Sequence, residues 1–301
     1  MRKLLVLTCA LMLVSGMAFA KRAPASASSH SPADLAAFPD AGKGWVELGV
    51  NYQKTTLKNG DKVTGSGFGI LPNVTYAFNN QFAITGGIGY LNAKEPGPSP
   101  KDKITGITNP VIGVIYRALD KGQALNIGLA ISPTIGKQTV KQDGDHDKFS
   151  AISGQNVVNF GIEYAQPVGP VVLGAEAGIT YGSDKKTKGK GVYDGLEETI
   201  KSAVAFNAGI AVQYKGINKL ALTAGFDWNR IPKTESKDVG VQNKAYNQFG
   251  LNLEANYNVA NNFYVGVNYG HKFNAQVKDG DGDKLYKTSN NSVGLAGTIQ
   301  F

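Results

Sequence analysis

From Trp45 onward, apolar and polar side chains alternate in segments long enough for the ~9–11 residues that a tilted membrane strand requires. Asn290–Phe301 shows the pattern most plainly. In an extended chain, Val293, Leu295, Ile299 and Phe301 fall on one face, and Gly294, Ala296, Thr298 and Gln300 on the other. Twelve such segments are expected, near 44–54, 65–78, 82–92, 104–117, 123–136, 151–165, 171–182, 202–215, 219–230, 245–258, 263–273 and 290–301. The connections between them alternate in length. Asn79–Asn80, Leu119–Gly122, Gln166–Pro170, Gly216–Asn218 and Ala260–Asn262 are tight turns, whereas Thr55–Thr64, Asn92–Lys103, Lys137–Ser150, Gly182–Lys201, Ile231–Lys244 and Asn274–Thr288 run longer. An even strand count with alternating short and long connections predicts an all-β fold, a transmembrane antiparallel up-and-down β-barrel of about twelve strands.

Aromatic spacing sharpens this prediction. Phe68 and Tyr76, Phe82 and Tyr90, Phe206 and Tyr214, and Phe249 and Tyr257 are each eight residues apart, hence on one face of their strands. Eight residues span roughly 26 Å along a strand and roughly 20 Å after a ~40° tilt, close to an apolar band ~25 Å tall with aromatic girdles at both edges. Between the pairs lie Ile70, Val74, Ile84, Ile88, Ile210, Val212, Leu251 and Leu253, which would face lipid. With short turns inside and long loops outside, both termini would lie in the periplasm. A chain ending on an aromatic within its last strand resembles the closing strand of outer-membrane barrels.

The N-terminus supports export. Arg2 and Lys3, the apolar run Leu4–Val14 and the small-residue site Ala18-Phe19-Ala20 have the layout of a signal peptide over residues 1–20, with cleavage after Ala20. The apolar run is shorter than the ~20 residues of a spanning helix. The single cysteine, Cys9, leaves with the signal, so the mature chain lacks disulfides, cysteine nucleophiles and thiolate metal sites. Residues 21–43 are rich in Ala, Ser and Pro and are expected to form a periplasmic tail before the barrel of 44–301. The turn Ser31-Pro32-Ala33-Asp34 before Leu35 and Phe38 offers two outcomes, a loose linker or a small plug entering the barrel from below.

The formal charge is +8 for the whole chain and +6 once Arg2 and Lys3 leave with the signal. Lys185, Lys186, Lys188 and Lys190 sit in a Gly- and Asp-containing loop, without the helix face or aromatic platform of a nucleic-acid site. Anionic outer-membrane lipid is the expected partner of such loops, together with small-molecule solutes and, during biogenesis, the barrel-assembly machinery. No cofactor is expected, nor a metal centre. Asp279, Asp281 and Asp283, like Asp143, Asp145 and Asp147, alternate as calcium ligands do, but Asn290 stands where a calcium-binding loop needs Glu. Solvated loop acids are the simpler account.

Catalysis finds little footing. His30 lies in the tail, His146 in an acidic loop and His271 beside Tyr269 at the outer end of a strand. Ser292 would be on the strand next to His271, but the intervening loop is expected to set the two near opposite ends, out of hydrogen-bond reach. A barrel lipid hydrolase is therefore the third reading, after a channel and a closed structural or surface-interaction barrel.

The inward face is short and polar, with Gly67, Gly69, Thr75, Thr85, Asn126, Gly128, Asn159, Gly174, Asn207, Gly209, Asn252, Asn268 and Thr298 among its members. Eight strands enclose space that side chains fill, and sixteen leave a channel. Twelve strands so lined should admit water. The inward charges are Glu47, Glu163, Glu176, Asp227 and Glu254 against Arg117 and Lys272, so a passive channel with a mild cation preference is expected.

Gly106–Lys137 resembles a hairpin of outer-membrane transporters of the phenol-degradation MetA-pathway type, through Asn109-Pro110, Tyr116-Arg117, Pro133 and Gly136. Asn73–Tyr90 resembles porin-like hairpins. The resemblance implies a barrel and transport of small compounds, without naming a substrate.

Overall fold

The computed structural model describes residues 32–59, 61–94, 102–120, 122–143, 146–190, 195, 197–237, 240–274 and 277–301. The signal peptide with Cys9, the first part of the tail with His30, and Asp145 lie outside these residues. Twelve wall strands run β1 (Gly44–Asn59), β2 (Asp61–Ala77), β3 (Phe82–Gly87), β4 (Val111–Leu119), β5 (Ala124–Ser132) and β6 (Val157–Val168). They continue as β7 (Val171–Gly182), β8 (Ala203–Ile217), β9 (Leu220–Ile231), β10 (Tyr246–Ala260), β11 (Phe263–Asn274) and β12 (Lys284–Gln300).

Each strand pairs antiparallel with the next. β12 closes the ring by pairing on both edges, Leu295 standing opposite Val267 of β11 and Val50 of β1. Closure leaves no wall edge unpaired, which is what a lipid core without water demands of a sheet. The terminal Phe301 is anchored through reciprocal backbone hydrogen bonds with Gly44, each of 2.9 Å.

The alternation sorts as the sequence predicts. Val46, Leu48, Val50 and Tyr52 of β1 are exposed on the outside while Glu47 and Gln53 are buried within. Of the eight girdle aromatics, Phe68, Phe82, Tyr90, Phe206, Tyr214 and Tyr257 are exposed outward. Phe249 is half-covered between Phe226 and Phe273, with ring centroids 6.1 and 5.9 Å away, and Tyr76 packs edge-on against Phe78 at 5.5 Å.

Several boundaries differ from expectation. The segment 82–92 splits into β3 and Tyr90–Lys94, and 104–117 into Lys103–Ile107 and β4. Pro110 has no N–H to give the ladder, so the chain steps over the gap with Thr108 N–H donating to Gly89 O at 2.8 Å. β5 stops at Ser132, before Pro133, and residues 151–156 are coil.

The long connections carry strands of their own. Gln138–Asp143 and His146–Ser150 form a hairpin that pairs parallel with Lys185–Lys190 on one side and Lys103–Ile107 on the other. Hydrophobic clusters hold this extension: Leu91, Ala93, Ile104, Phe149 and Ala151 in one place, Leu57, Tyr246, Val277 and Tyr286 in another. Ion pairs join the loops at the surface, Lys137 with Glu197 at 2.8 Å and Lys237 with Asp184 at 2.7 Å. Hydrogen bonds from Lys201 and Lys233 hold the Glu235 carboxyl down to about 2, so that clip stays charged well into the acid range.

Candidate channel lumen

Inside the wall is a cavity of about 520 Å³ whose floor is the N-terminal segment. Residues 32–40 turn into the barrel at the end bearing the short turns. There Phe38, 1% exposed, packs on Ala77, Ala83 and Ile115, while Leu35 and Ala36 meet Ala124, Ala165, Val172 and Ala211. Over these residues the tail is a plug and not a loose linker. The short apolar side chains of the lower wall provide the space it occupies.

Polar groups hold the plug in one register. Gln213 of β8 accepts from Leu35 N–H at 3.2 Å and donates to Ala33 O at 3.0 Å, a two-point grip on the backbone. Arg117 and Asn126 both donate to Ala36 O, and the Arg117 guanidinium lies 4.8 Å above the Phe38 ring. Asp34, buried, is ion-paired with Lys215 at 2.6 Å. Buried carbonyls and a buried carboxylate are tolerable only when met in this way.

Arg117, Asn126, Glu163, Glu176, Gly209, Asp227, Gly250, Lys272 and Asn290 stand directly opposite one another on the successive strands β4 to β12. Because barrel strands tilt and stagger, such a row climbs. It begins beside the β4–β5 turn at Arg117 and ends near the loops at Lys272 and Asn290. Five of the seven inward charges expected from sequence are on this one row. The other two, Glu47 and Glu254, line the same cavity from neighbouring rows.

Amides and one hydroxyl dress three of the carboxylates. Asp227 accepts from Asn252 at 2.5 Å and Asn229 at 2.8 Å, Glu254 from Asn256 at 2.7 Å, and Glu47 from Thr298 at 3.4 Å. Glu163 and Glu176 are direct cross-strand neighbours. Arg117, facing the same wall, is held against the plug.

Glycines opposite these groups explain how the cavity keeps its volume. A Cβ at Gly250 would come within 2.4 Å of Asp227 Oδ1, one at Gly209 within 2.7 Å of Glu176 Oε1, and one at Gly266 within 2.3 Å of Asn256 Oδ1. Each polar side chain therefore lies flat across a glycine of the adjoining strand instead of projecting to the axis. Gly250→Ala should leave folding nearly intact, since only the far end of Asp227 must move, yet turn that carboxylate inward and lower single-channel conductance. Unchanged conductance in a folded Gly250→Ala protein would show that the glycine serves curvature alone.

One expectation about chemistry changes. Ser292 and His271 are not at opposite ends: Ser292 pairs with Gly270 and His271 with Asn291, because the loop simply joins the near ends of β11 and β12. Being one register step apart, they face opposite sides. Ser292 lines the cavity while His271 contacts Asn291 Oδ1 at 2.8 Å, so no nucleophile–base pair forms there. Asp279 spends a carboxylate oxygen on the N–H groups of Gly282 and Asp283, each at 2.8 Å, which closes its own turn. Gln213 and Lys215, the main anchors of the plug, do not stand out in the sequence. Their only signal is long polar side chains near a turn among otherwise small inward residues.

Residues 110–298 match the family described as outer membrane protein beta-barrel domain. The chain belongs to that outer-membrane β-barrel family. Among solved structures, this barrel is similar to the COG4313 outer membrane channel from Pseudomonas putida F1, with a TM-score of 0.67 and 13% identity over 88% of this chain and 97% of that one. It is also similar to the translocator domain of autotransporter NalP from Neisseria meningitidis, with a TM-score of 0.54 and 15% identity over 96% of each chain. A third is a Pseudomonas aeruginosa FadL homologue, with a TM-score of 0.50 and 12% identity over 92% of this chain and 97% of that one. At such identities the likeness is one of fold. No curated protein matches the sequence.

Proposed function

We propose that this outer-membrane barrel is a passive channel for small polar or weakly aromatic solutes, exported by its signal peptide, with the long connections outside and both termini in the periplasm. The observation that carries this reading is the amide- and carboxylate-lined cavity of about 520 Å³, open enough to hold small organic molecules and floored by a non-covalent plug. The MetA-pathway resemblance of Gly106–Lys137 and the fold shared with an outer membrane channel support it. No reaction is proposed.

Selectivity follows from the wall. Five carboxylates face two cations, one of which, Arg117, is engaged by the plug. A unit charge ~8 Å away through water contributes only ~0.5 kcal/mol and salt screens it over a similar length, so cations should be preferred by a factor of a few. Reversal potentials across a potassium chloride gradient test this directly. A preference for chloride, or a Glu176→Gln plus Glu254→Gln protein with unaltered selectivity, would defeat it.

The second reading is a closed structural barrel, favoured by the extent to which residues 32–40 are buried in the wall. Planar-bilayer recordings of the mature protein separate the two, since a closed barrel carries no current.

A further inference from the structure

Above the membrane wall, the extracellular sheet brings together lysines that are far apart in sequence. Lys94 stands opposite Lys103, Lys103 opposite Lys148, and Lys148 opposite Lys141. Four cations thus occupy one row across four adjoining strands, two of them in parallel pairing, and the register continues to Lys190, opposite Lys141 on the next strand. With strands ~4.8 Å apart, the row spans roughly 14 Å. Like charges directly opposite one another destabilise a sheet, so the arrangement has a cost unless something neutralises it.

The hydrophobic core dictates which way these side chains point. One register step away, Ala93 pairs with Ile104, Ile104 with Phe149 and Phe149 with Val140, and this apolar row is buried inside the extension. Successive residues face opposite sides, so the lysines are on the outer surface, and a slip of one residue would bury all four. Asp102 and Asp147, next to Lys103 and Lys148 in the chain, fall on the opposite, inner side with Ile104 and Phe149, where Asp102 accepts from Asp147 N–H at 2.8 Å. In the neighbouring loops Glu197 is engaged with Lys137, Asp184 with Lys237, and Glu235 with Lys201 and Lys233. Among the described residues none of the four lysines has an ion-pair partner.

Height above the bilayer identifies the counter-charge. Tyr90 faces the same side as Lys94 and belongs to the outer girdle, its ring 6.4 Å from that of Phe68. Lys94 is four residues further on, roughly 13 Å along the strand and roughly 10 Å above the girdle after tilt. That is the level of polar headgroups just outside the hydrocarbon.

We propose that Lys94, Lys103, Lys148 and Lys141 form a binding site for a phosphate-bearing anionic lipid of the outer leaflet. The row reads several phosphate charges at once, and the Phe68–Tyr90 pair beneath it faces the acyl chains of the same lipid. The site rests on the barrel's placement with these loops outward, and is independent of whether the lumen conducts.

Native mass spectrometry of the refolded mature protein in neutral detergent tests the site, with bisphosphorylated lipid A as probe and phosphatidylethanolamine as the zwitterionic comparator. Wild type should retain lipid A in preference to phosphatidylethanolamine. A Lys94→Gln, Lys103→Gln, Lys141→Gln and Lys148→Gln protein should lose at least about tenfold in lipid A affinity, a modest share of the attraction each lysine has for an anionic surface. A control with Lys201, Lys233, Lys237 and Lys244 all changed to Gln removes the same charge from the loops joining β7 to β8 and β9 to β10, away from the row, and should bind as wild type does. Equal loss in both proteins, or in neither, overturns the proposal, as does displacement of lipid A by millimolar inorganic phosphate, which would mark a site for soluble phosphate. Should the fourfold change prevent folding, Lys103→Gln with Lys148→Gln carries the same test. In lipid-free detergent the ladder variant should melt no lower than wild type, and lipid A should raise the melting temperature of wild type alone.

Discussion

Replacing Leu253 by Arg should lower the unfolding free energy of the bilayer-embedded barrel by about 2–4 kcal/mol, the cost of a cation on the lipid face at mid-membrane. Leu253 is midway between the girdle residues Phe249 and Tyr257 and is 56% exposed on the outer surface. It gains nothing from the lumen and has no carboxylate in reach on its own face, where Ala224 and Tyr269 are its cross-strand neighbours. Val259→Arg, beside the β10–β11 turn and equally outward, should cost only ~0–1 kcal/mol because it reaches the interface. Reversible denaturant unfolding in lipid vesicles gives both values. Equal costs at the two positions would mean that the outer band is not a membrane band.

Removing residues 21–40 should increase single-channel conductance several-fold while leaving the barrel folded. The wall's ladder is complete without the segment, since β1 begins at Gly44 and closes on β12 by itself. Among the described residues, the deletion takes away the packing of Leu35, Ala36 and Phe38 on the lower wall, the Gln213 grip on Leu35 and Ala33, the Arg117 and Asn126 bonds to Ala36 O, and the Asp34–Lys215 pair. The freed polar groups would then face water in an open lumen. Heat-modifiable migration on SDS gels verifies the fold, and planar-bilayer recordings read the effect. Conductance equal to that of the intact protein would show that the segment does not limit flow. Silence from both proteins would favour the closed structural barrel.

Much of the wall was legible because its information is local. A period of two needs no knowledge of partners, so Val293, Leu295 and Ile299 declare their lipid face from their own spacing, and the eightfold Phe–Tyr separations give the height of the band. Inward placement of Glu163, Glu176, Asp227 and Lys272 follows from the same parity. The loops resisted the same treatment. Lys185–Lys190 is a strand with no apolar alternation, formed because its backbone finds partners in Gln138–Asp143 and Glu197–Ile200.

The sequence by itself thus determined the barrel, its strand number, and which residues face lipid or lumen, because each is set by side-chain parity along one strand and by the bilayer's thickness. Tertiary structure alone decided the rest. It placed residues 32–40 inside the cavity through Arg117, Asn126 and Gln213, laid Asp227 and Glu176 across Gly250 and Gly209, and set His271 and Ser292 side by side on opposite faces. It also aligned four distant lysines in one row. Each of these depends on register between strands, which long-range hydrogen bonding and packing fix and no single segment encodes.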